Sequence, residues 1–208
     1  YYEVLPELID RLQILSYQTT SYLCCFHGAA VEYLDTIILI PGESGKGKST
    51  LCAEFLHFGG KVYSDEFIVL DEECNLLSIN LPIAIKTGSW KHLESYYPEL
   101  ATLKAWKRLD GRHIKYVWPN TQDIANKESS KLKARVIFPH FDTDIDLDAY
   151  IDDLSVIDTI SELTAGGYQI ANDLNEKVID KLLMYLQQCI REELHYSESK
   201  QAFQLLGY

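Results

Sequence analysis

At 208 residues the chain is long enough for one domain with a full core, or one with a small appendage. Its 31 acidic and 19 basic side chains give a net charge of −12, which repels phosphate backbones and anionic lipid and makes nucleic acid and membrane poor partners. The five cysteines, at 24, 25, 52, 74 and 189, are odd in number and spaced for neither a disulfide scaffold nor a zinc site. They read as buried free thiols, which suit a reducing compartment. With no run of about 18 apolar residues and no signal peptide, a cytoplasmic location is expected. Opening on Tyr1-Tyr2 without an initiator Met, the chain reads as trimmed or as part of something longer.

In chain order, Val4, Leu5, Leu8, Ile9, Leu12 and Leu15 recur at helical spacing. A short amphipathic helix is expected from about residue 6, with Pro6 in its first turn, inside an N-terminal extension of residues 1–20. Residues 20–33 hold two strand-like runs, Tyr22 to Phe26 and Ala29 to Val31. Glu32 to Asp35 turns the chain into a third, Thr36-Ile37-Ile38-Leu39-Ile40, which reads as a buried strand. Next comes the octapeptide Gly42-Glu43-Ser44-Gly45-Lys46-Gly47-Lys48-Ser49, and then Thr50 and a helical pattern with Leu51, Phe55 and Phe58 on one face. Gly59-Gly60 stops that helix.

Strand, glycine loop and helix is the setting that makes an octapeptide of this spacing a phosphate-binding loop (Walker A, or P-loop) rather than a Gly/Ser turn. Residues 42–50 would curl backbone N–H groups around phosphate oxygens, helped by the partial positive charge of the helix N-terminus. Lys48 would reach the terminal phosphates and the hydroxyl of Ser49 would ligate magnesium. A nucleoside triphosphate with Mg2+ is expected, held by a local positive site on an otherwise acidic chain; the loop leaves ATP or GTP open.

After the loop helix, Lys61 to Ser64 and Phe67 to Leu70 read as strands with Asp65-Glu66 between them. Asp71 to Asn75 is a polar turn, and Leu76 to Ile79 resumes strand. Ser89 is placed to cap a helix through Tyr96, ended by Pro98. Trp106 to Trp118 reads as strand and loop, 119–131 as polar loop, and Arg135 to Phe138 as a strand closed by Pro139. Asp173 with Glu176 fits a capping box for a helix whose stripe is Leu174, Val178, Leu182, Leu183, Leu186 and Ile190. Residues 194–208 read as a polar tail with one apolar patch, Phe203-Gln204-Leu205-Leu206, suited to docking on the domain or on a neighbour. The whole is an α/β domain with a mixed β-sheet flanked by helices.

A loop that grips triphosphate needs a carboxylate for the metal and a group to activate the acceptor. Asp65-Glu66 lies 16 residues beyond Ser49 at a strand end, where open α/β sheets place their ligand crevice. One acid would serve magnesium and the other would take a proton from an attacking hydroxyl, and residue type leaves the assignment open. His27, at the end of the strand before Gly28, is a candidate from position, although an isolated histidine is more often structural. Histidines 57, 92, 113, 140 and 195 are expected to be structural. Lys86, Arg108, Arg112 and Arg135 are candidate phosphate or acceptor contacts, with Lys86 and Arg135 preferred because each abuts an expected strand. Asp142 to Asp148 imitates a calcium loop but has Leu147 where glycine is required and no Glu at the twelfth place, so an exposed acidic segment is expected.

Three stretches together, Phe26-His27-Gly28-Ala29-Ala30-Val31, Ile40 to Thr50 and Phe58 to Glu66, resemble the HPr kinase/phosphorylase family. The similarity is greatest to its shorter members encoded with peptide-modifying enzymes, as in lasso-peptide clusters. It covers residues 22–72 well; Lys86-Thr87-Gly88-Ser89-Trp90 and Ala134 to Phe138 fit more loosely. The resemblance implies a single P-loop domain over 1–208 with a fold shared with phosphoenolpyruvate carboxykinase, and transfer of the γ-phosphoryl group of ATP to a serine of a small HPr-like protein or ribosomally made precursor peptide. It implies active-site roles for His27 and Lys48, maps the proton-accepting acid onto Glu66 and the other acid onto Asp65, and leaves room for a homo-oligomer. Three departures stand out. The pair is Asp-Glu where the family has Asp-Asp, the separate N-terminal domain is not found, and neither is the distal segment tied to phosphorolysis, the last of which implies a kinase without the reverse activity. A kinase for small metabolites and a non-catalytic ATP-binding regulatory module are the alternatives.

Overall fold

The computed structural model describes residues 4–125, 129–142, 148–170 and 175–208. The chain opens with helix α1 (Val4–Gln18) and then forms a hairpin of β1 (Cys24–Tyr33) and β2 (Thr36–Pro41). Its two-residue turn is Leu34-Asp35, both at positive φ (47° and 57°), the geometry that matches the twist of paired strands. Helix α2 (Lys48–His57) follows, then β3 (Lys61–Ser64), β4 (Phe67–Leu70), β5 (Ile83–Lys86) and α3 (Thr87–Leu93). Strands β6 (Trp106–Lys107), β7 (His113–Val117), β8 (Lys133–Phe141) and β9 (Tyr150–Asp153) lead to α4 (Val156–Ala165). Then come β10 (Tyr168–Ile170), α5 (Glu176–Gln188), β11 (Ile190–Tyr196) and α6 (Ser199–Leu205).

The large sheet is mixed and eight-stranded, in the order β10-β1-β2-β8-β11-β9, with β3 and β4 also paired to β1. Strand β1 is shared between two neighbourhoods. Its first half, Cys24 to His27, pairs with β4 and β10, and its second half, from Gly28, pairs with β2 and β3. Strands β2, β8 and β11 run parallel, and β9 closes the far edge antiparallel to β11. Strands β5, β7 and β6 make a separate antiparallel sheet. The expected α/β class, a mixed sheet flanked by helices, is what is seen.

Alternation along β1 and β2 sends side chains to two cores. Ala29, Val31, Ile38 and Ile40 meet Leu51 and Phe55 of α2 and Phe203 of α6 on one face. Ala30, Ile37 and Leu39 meet Leu163 of α4 and Leu186 of α5 on the other. Phe55 is fully buried, with its ring 4.6 Å from that of Phe203 and 5.4 Å from that of Tyr33. Phe55→Ala should cost about 3–5 kcal/mol by transfer and cavity together, read as a lower midpoint at unchanged slope in urea unfolding.

Several local expectations need correction. Helix α1 buries Ile9, Gln13 and Tyr17, while Val4, Leu8, Leu12 and Leu15 face outward. Apolar spacing alone marked the leucine stripe, but docking of Ile9 on Ile114 and Tyr116 sets the buried face. Leu76 to Ile79 forms no strand, only a single bridge from Leu76 to Leu70. Ser89 does not cap α3, which starts two residues earlier; its hydroxyl bonds that of Thr50 at 2.6 Å. Strand β8 runs through Pro139 to Phe141, and its pairing with β2 ends at Val136, before the proline. Helix α5 is capped by Asn175, whose side chain accepts from the N–H of Val178. Asp173 and Leu174 lie outside the described residues, as do residues 143–147 of the acidic segment. Ile190 is exposed and starts β11 rather than ending the α5 stripe. The stretch 194–208 is no tail: it holds the end of β11 and then α6, with Phe203 buried on the core. All five thiols are free, four buried and Cys74 partly exposed. Among the described residues no helix is long and apolar enough to cross a membrane.

Candidate functional site

The buried strand β2 ends at Pro41, and the chain then coils through Gly42, Gly45 and Gly47, all at positive φ (133°, 100° and 97°), before α2 begins at Lys48. Gly47 is the most constrained of the three. A side chain there would be strained by φ, and its Cβ would lie 2.8 Å from the Tyr196 hydroxyl. Among the described residues no side chain caps α2, so its first-turn N–H groups are available to an anion.

Gly28 brings the other half of the site against this loop. A Cβ at Gly28 would lie 2.7–2.8 Å from Ile68, Ile40 and Pro41, so only glycine allows β1 so close. Its N–H donates to the Glu66 carbonyl, and the neighbouring His27 carbonyl accepts from the N–H of Gly42. The turn carrying the acids and the start of the loop are thereby tied to one strand.

The two acids have opposite environments. Asp65 is buried; its Oδ2 accepts from the Ala84 N–H at 3.0 Å, and its Oδ1 is sealed from solvent with no hydrogen-bond partner among the described residues. Burial first, then the charge of Glu66, pushes its carboxyl up to about 7, while the Ala84 N–H, the Ser49 hydroxyl and Lys48 pull it back. Glu66 is partly exposed, with Oε1 3.6 Å from His27 Nδ1. That same Nδ1 lies 3.1 Å from the Glu66 carbonyl, which can only accept, so Nδ1 carries the proton and Nε2 keeps a lone pair. Burial lowers the His27 pKa against the pull of Glu66, so the ring is neutral near pH 7.

Lys48 is buried and donates to the Glu43 carbonyl at 2.7 Å. Desolvation brings it down to about 8, the nearby acids notwithstanding. Lys86 Nζ and Arg112 Nη1 both donate to Ser44 Oγ, at 2.8 and 2.9 Å, and so add two cations to the loop's outer side. Arg108 is paired to Asp10 at 3.0 Å, beside this group. Arg135 is elsewhere. Its guanidinium forks onto the Glu192 carboxylate and the Leu206 carbonyl, which makes it a buried structural ion pair and removes it as a phosphate ligand.

A cleft of about 710 Å³ is lined by Gly45, Lys48, Ser89, His92, Tyr96, Tyr196 and Lys200. That volume is in the range of small-ligand sites. Compared with known proteins, the chain matches no family model and no curated protein. The site must be read from its own geometry.

Of the residues singled out in sequence, the loop, His27, Asp65, Glu66, Lys86 and Arg112 converge. The lining contributed by the end of β11 and by α6 was missed, because β11 is mostly polar and α6 short, and neither leaves a periodic apolar signature. His92 also bonds Ser199 Oγ at 3.2 Å and the buried Glu54 carboxylate, both through Nε2. One nitrogen cannot relay a proton between two partners, so this group braces α2, α3 and α6. Chemically, the arrangement can hold a polyphosphate on the loop, a hard cation between Ser49 and Asp65, and a proton acceptor at Glu66.

Proposed function

We propose that the chain is an ATP- and Mg2+-dependent kinase that moves the γ-phosphoryl group to a serine hydroxyl of a small protein or peptide. The observation that carries this reading is the division between two adjacent acids, one sealed behind the phosphate loop with an unpartnered oxygen, the other open beside His27. A regulatory nucleotide switch has use for the first acid and none for the second. The resemblance to HPr-kinase-like proteins supports a fold of that P-loop type and a peptide acceptor.

The buried Asp65 Oδ1 and the Ser49 hydroxyl form an all-oxygen set that fits Mg2+ and would hold it, and the ion would supply charge neutralisation for the phosphates. Lys48 exchanges the Glu43 carbonyl for a terminal phosphate oxygen, and Lys86 and Arg112 face the same end of the loop. The serine oxygen attacks the γ-phosphorus, the bond to the β-phosphate oxygen breaks, ADP leaves, and the serine proton passes to Glu66. His27 positions that carboxylate. Its Nδ1 proton is held by the Glu66 backbone, so the ring is fixed beside the side chain it orients.

The test is γ-labelled ATP offered with a panel of serine peptides and, separately, small hydroxyl metabolites. Label on a peptide supports the proposal, and label on a metabolite alone assigns the same chemistry to another acceptor. Glu66→Gln should lower kcat by about 10²- to 10⁴-fold, the usual worth of a positioned base, with nucleotide affinity unchanged. Undiminished transfer by Glu66→Gln would remove the base assignment, and nucleotide binding with no transfer to any acceptor would leave the regulatory module.

A further inference from the structure

We propose that His140, Glu193 and His195 form a binding site for one divalent transition-metal ion of the Zn2+ class, separate from the nucleotide site. Among the described residues this is the one group of three or more His, Cys, Asp or Glu side chains whose donor atoms gather within 4.8 Å of one another. The strands dictate it. In the parallel pair β8/β11, His140 lies opposite His195, and Glu193, two residues before His195, projects from the same face.

The spacings suit an ion better than a hydrogen bond. Glu193 Oε1 is 3.7 Å from His140 Nε2, and Oε2 is 3.5 Å from His195 Nε2. Both are too long for hydrogen bonds, and the His195–Glu193 separation matches the roughly 3.3–3.5 Å between ligands of a four-coordinate ion with bonds of about 2.0–2.1 Å. Among the described residues His140 Nε2, shut off from solvent, has no hydrogen-bond partner, which is costly in either tautomer and is relieved when an ion takes that nitrogen. The rings differ in freedom. His195 is sandwiched between His140 and Tyr150, each with centroids at 4.5 Å and planes 7° apart, so its direction is set. Parallel rings cannot aim both lone pairs at one ion, so His140 must rotate about its Cβ–Cγ bond. Nothing is lost by that turn at Nε2, and His140 borders a cavity of about 160 Å³ that gives room for it.

Two imidazoles and one carboxylate suit Zn2+, Co2+ or Ni2+ and are poor for Mg2+, which takes oxygen ligands. The cavity beside His140 is also lined by Gly42, Lys46 and Glu162, so the ion would join β8 and β11 directly behind the phosphate loop. This site stands whether or not the chain transfers phosphate.

The experiment is isothermal titration of ZnCl2 into the chelator-stripped full chain in excess Mg2+. One equivalent should bind at micromolar affinity or tighter and raise Tm. Asp65→Asn should keep this binding, while His195→Ala and Glu193→Gln should each weaken it at least tenfold. Co2+ provides a second readout that does not depend on comparing variants. The loaded wild-type chain should show the visible bands of four-coordinate nitrogen and oxygen ligation without a thiolate charge-transfer band. No saturable binding to the wild-type chain overturns the site, as does a thiolate band or binding that survives His140→Ala/His195→Ala.

Discussion

Replacing Lys48 with Ala is expected to abolish phosphoryl transfer, with kcat/KM falling by about 10³-fold or more, while the fold persists. The size follows from where the charge acts. A cation on the transferring phosphoryl group is worth about 10³–10⁵ in rate when it meets charge that builds in the transition state. The fold should survive because the ammonium contributes little to the free protein. Among the described residues Lys48 makes one hydrogen bond, to the Glu43 carbonyl, and burial lowers it to about 8, the mark of a charge held at a cost. Its removal should leave Tm unchanged or higher below pH 8, since the buried charge is then gone. Measuring labelled transfer and Tm on the same preparation checks both halves, and full activity in Lys48→Ala would refute the loop assignment.

Much of this centre was legible in the sequence because its parts are local. Gly42 to Thr50 is one uninterrupted motif between a buried strand and a helix, and its conformation depends on glycines whose need for positive φ is intrinsic. Asp65-Glu66 was legible for a related reason, since a short strand pair leaves only one place for two acids to turn. What the sequence did not show is how the two acids differ. Asp65 is sealed and Glu66 open because β5 closes over one and donates to it the N–H of Ala84, 19 residues further on. The same reason separates Arg112 from Arg135: both are arginines near strands, and only tertiary register decides that one meets Ser44 and the other Glu192. The His140–Glu193–His195 group was hidden most deeply, because it exists only once β11 lies beside β8 in one particular register. In α1 the periodicity was only partly informative: Leu5 and Ile9 of the stripe pack on Ile114 and Tyr116, whereas Val4, Leu8, Leu12 and Leu15 face outward.

Asp65→Asn should separate stability from activity, abolishing Mg2+-dependent transfer while stabilising the nucleotide-free chain at and above neutral pH. Folding raises this carboxyl from its ordinary 3.8 to about 7, so the folded chain binds the proton more tightly than the unfolded one. Below about pH 4 both forms are protonated and the group is neutral to stability relative to Asn. As pH rises towards 7 the unfolded chain loses the proton first and stability declines, and above 7 the whole cost is present. Three pH units correspond to about 4 kcal/mol, an upper scale for the effect. Lys48 does not confuse this window, because below pH 8 it stays protonated in both states. The wild-type chain should therefore lose Tm between pH 4 and 8 relative to Asp65→Asn, with the two curves meeting near pH 4. Binding of Mg-nucleotide must reverse the balance, because a hard cation needs the carboxylate. Calorimetry near pH 6 in buffers of different ionisation enthalpy should show about one proton released by the wild-type chain and none by the variant. An Asp65→Asn chain less stable than wild type at pH 8 would mean that Oδ1 already has a partner worth more than its burial costs. The cation would then have no open ligand at this position.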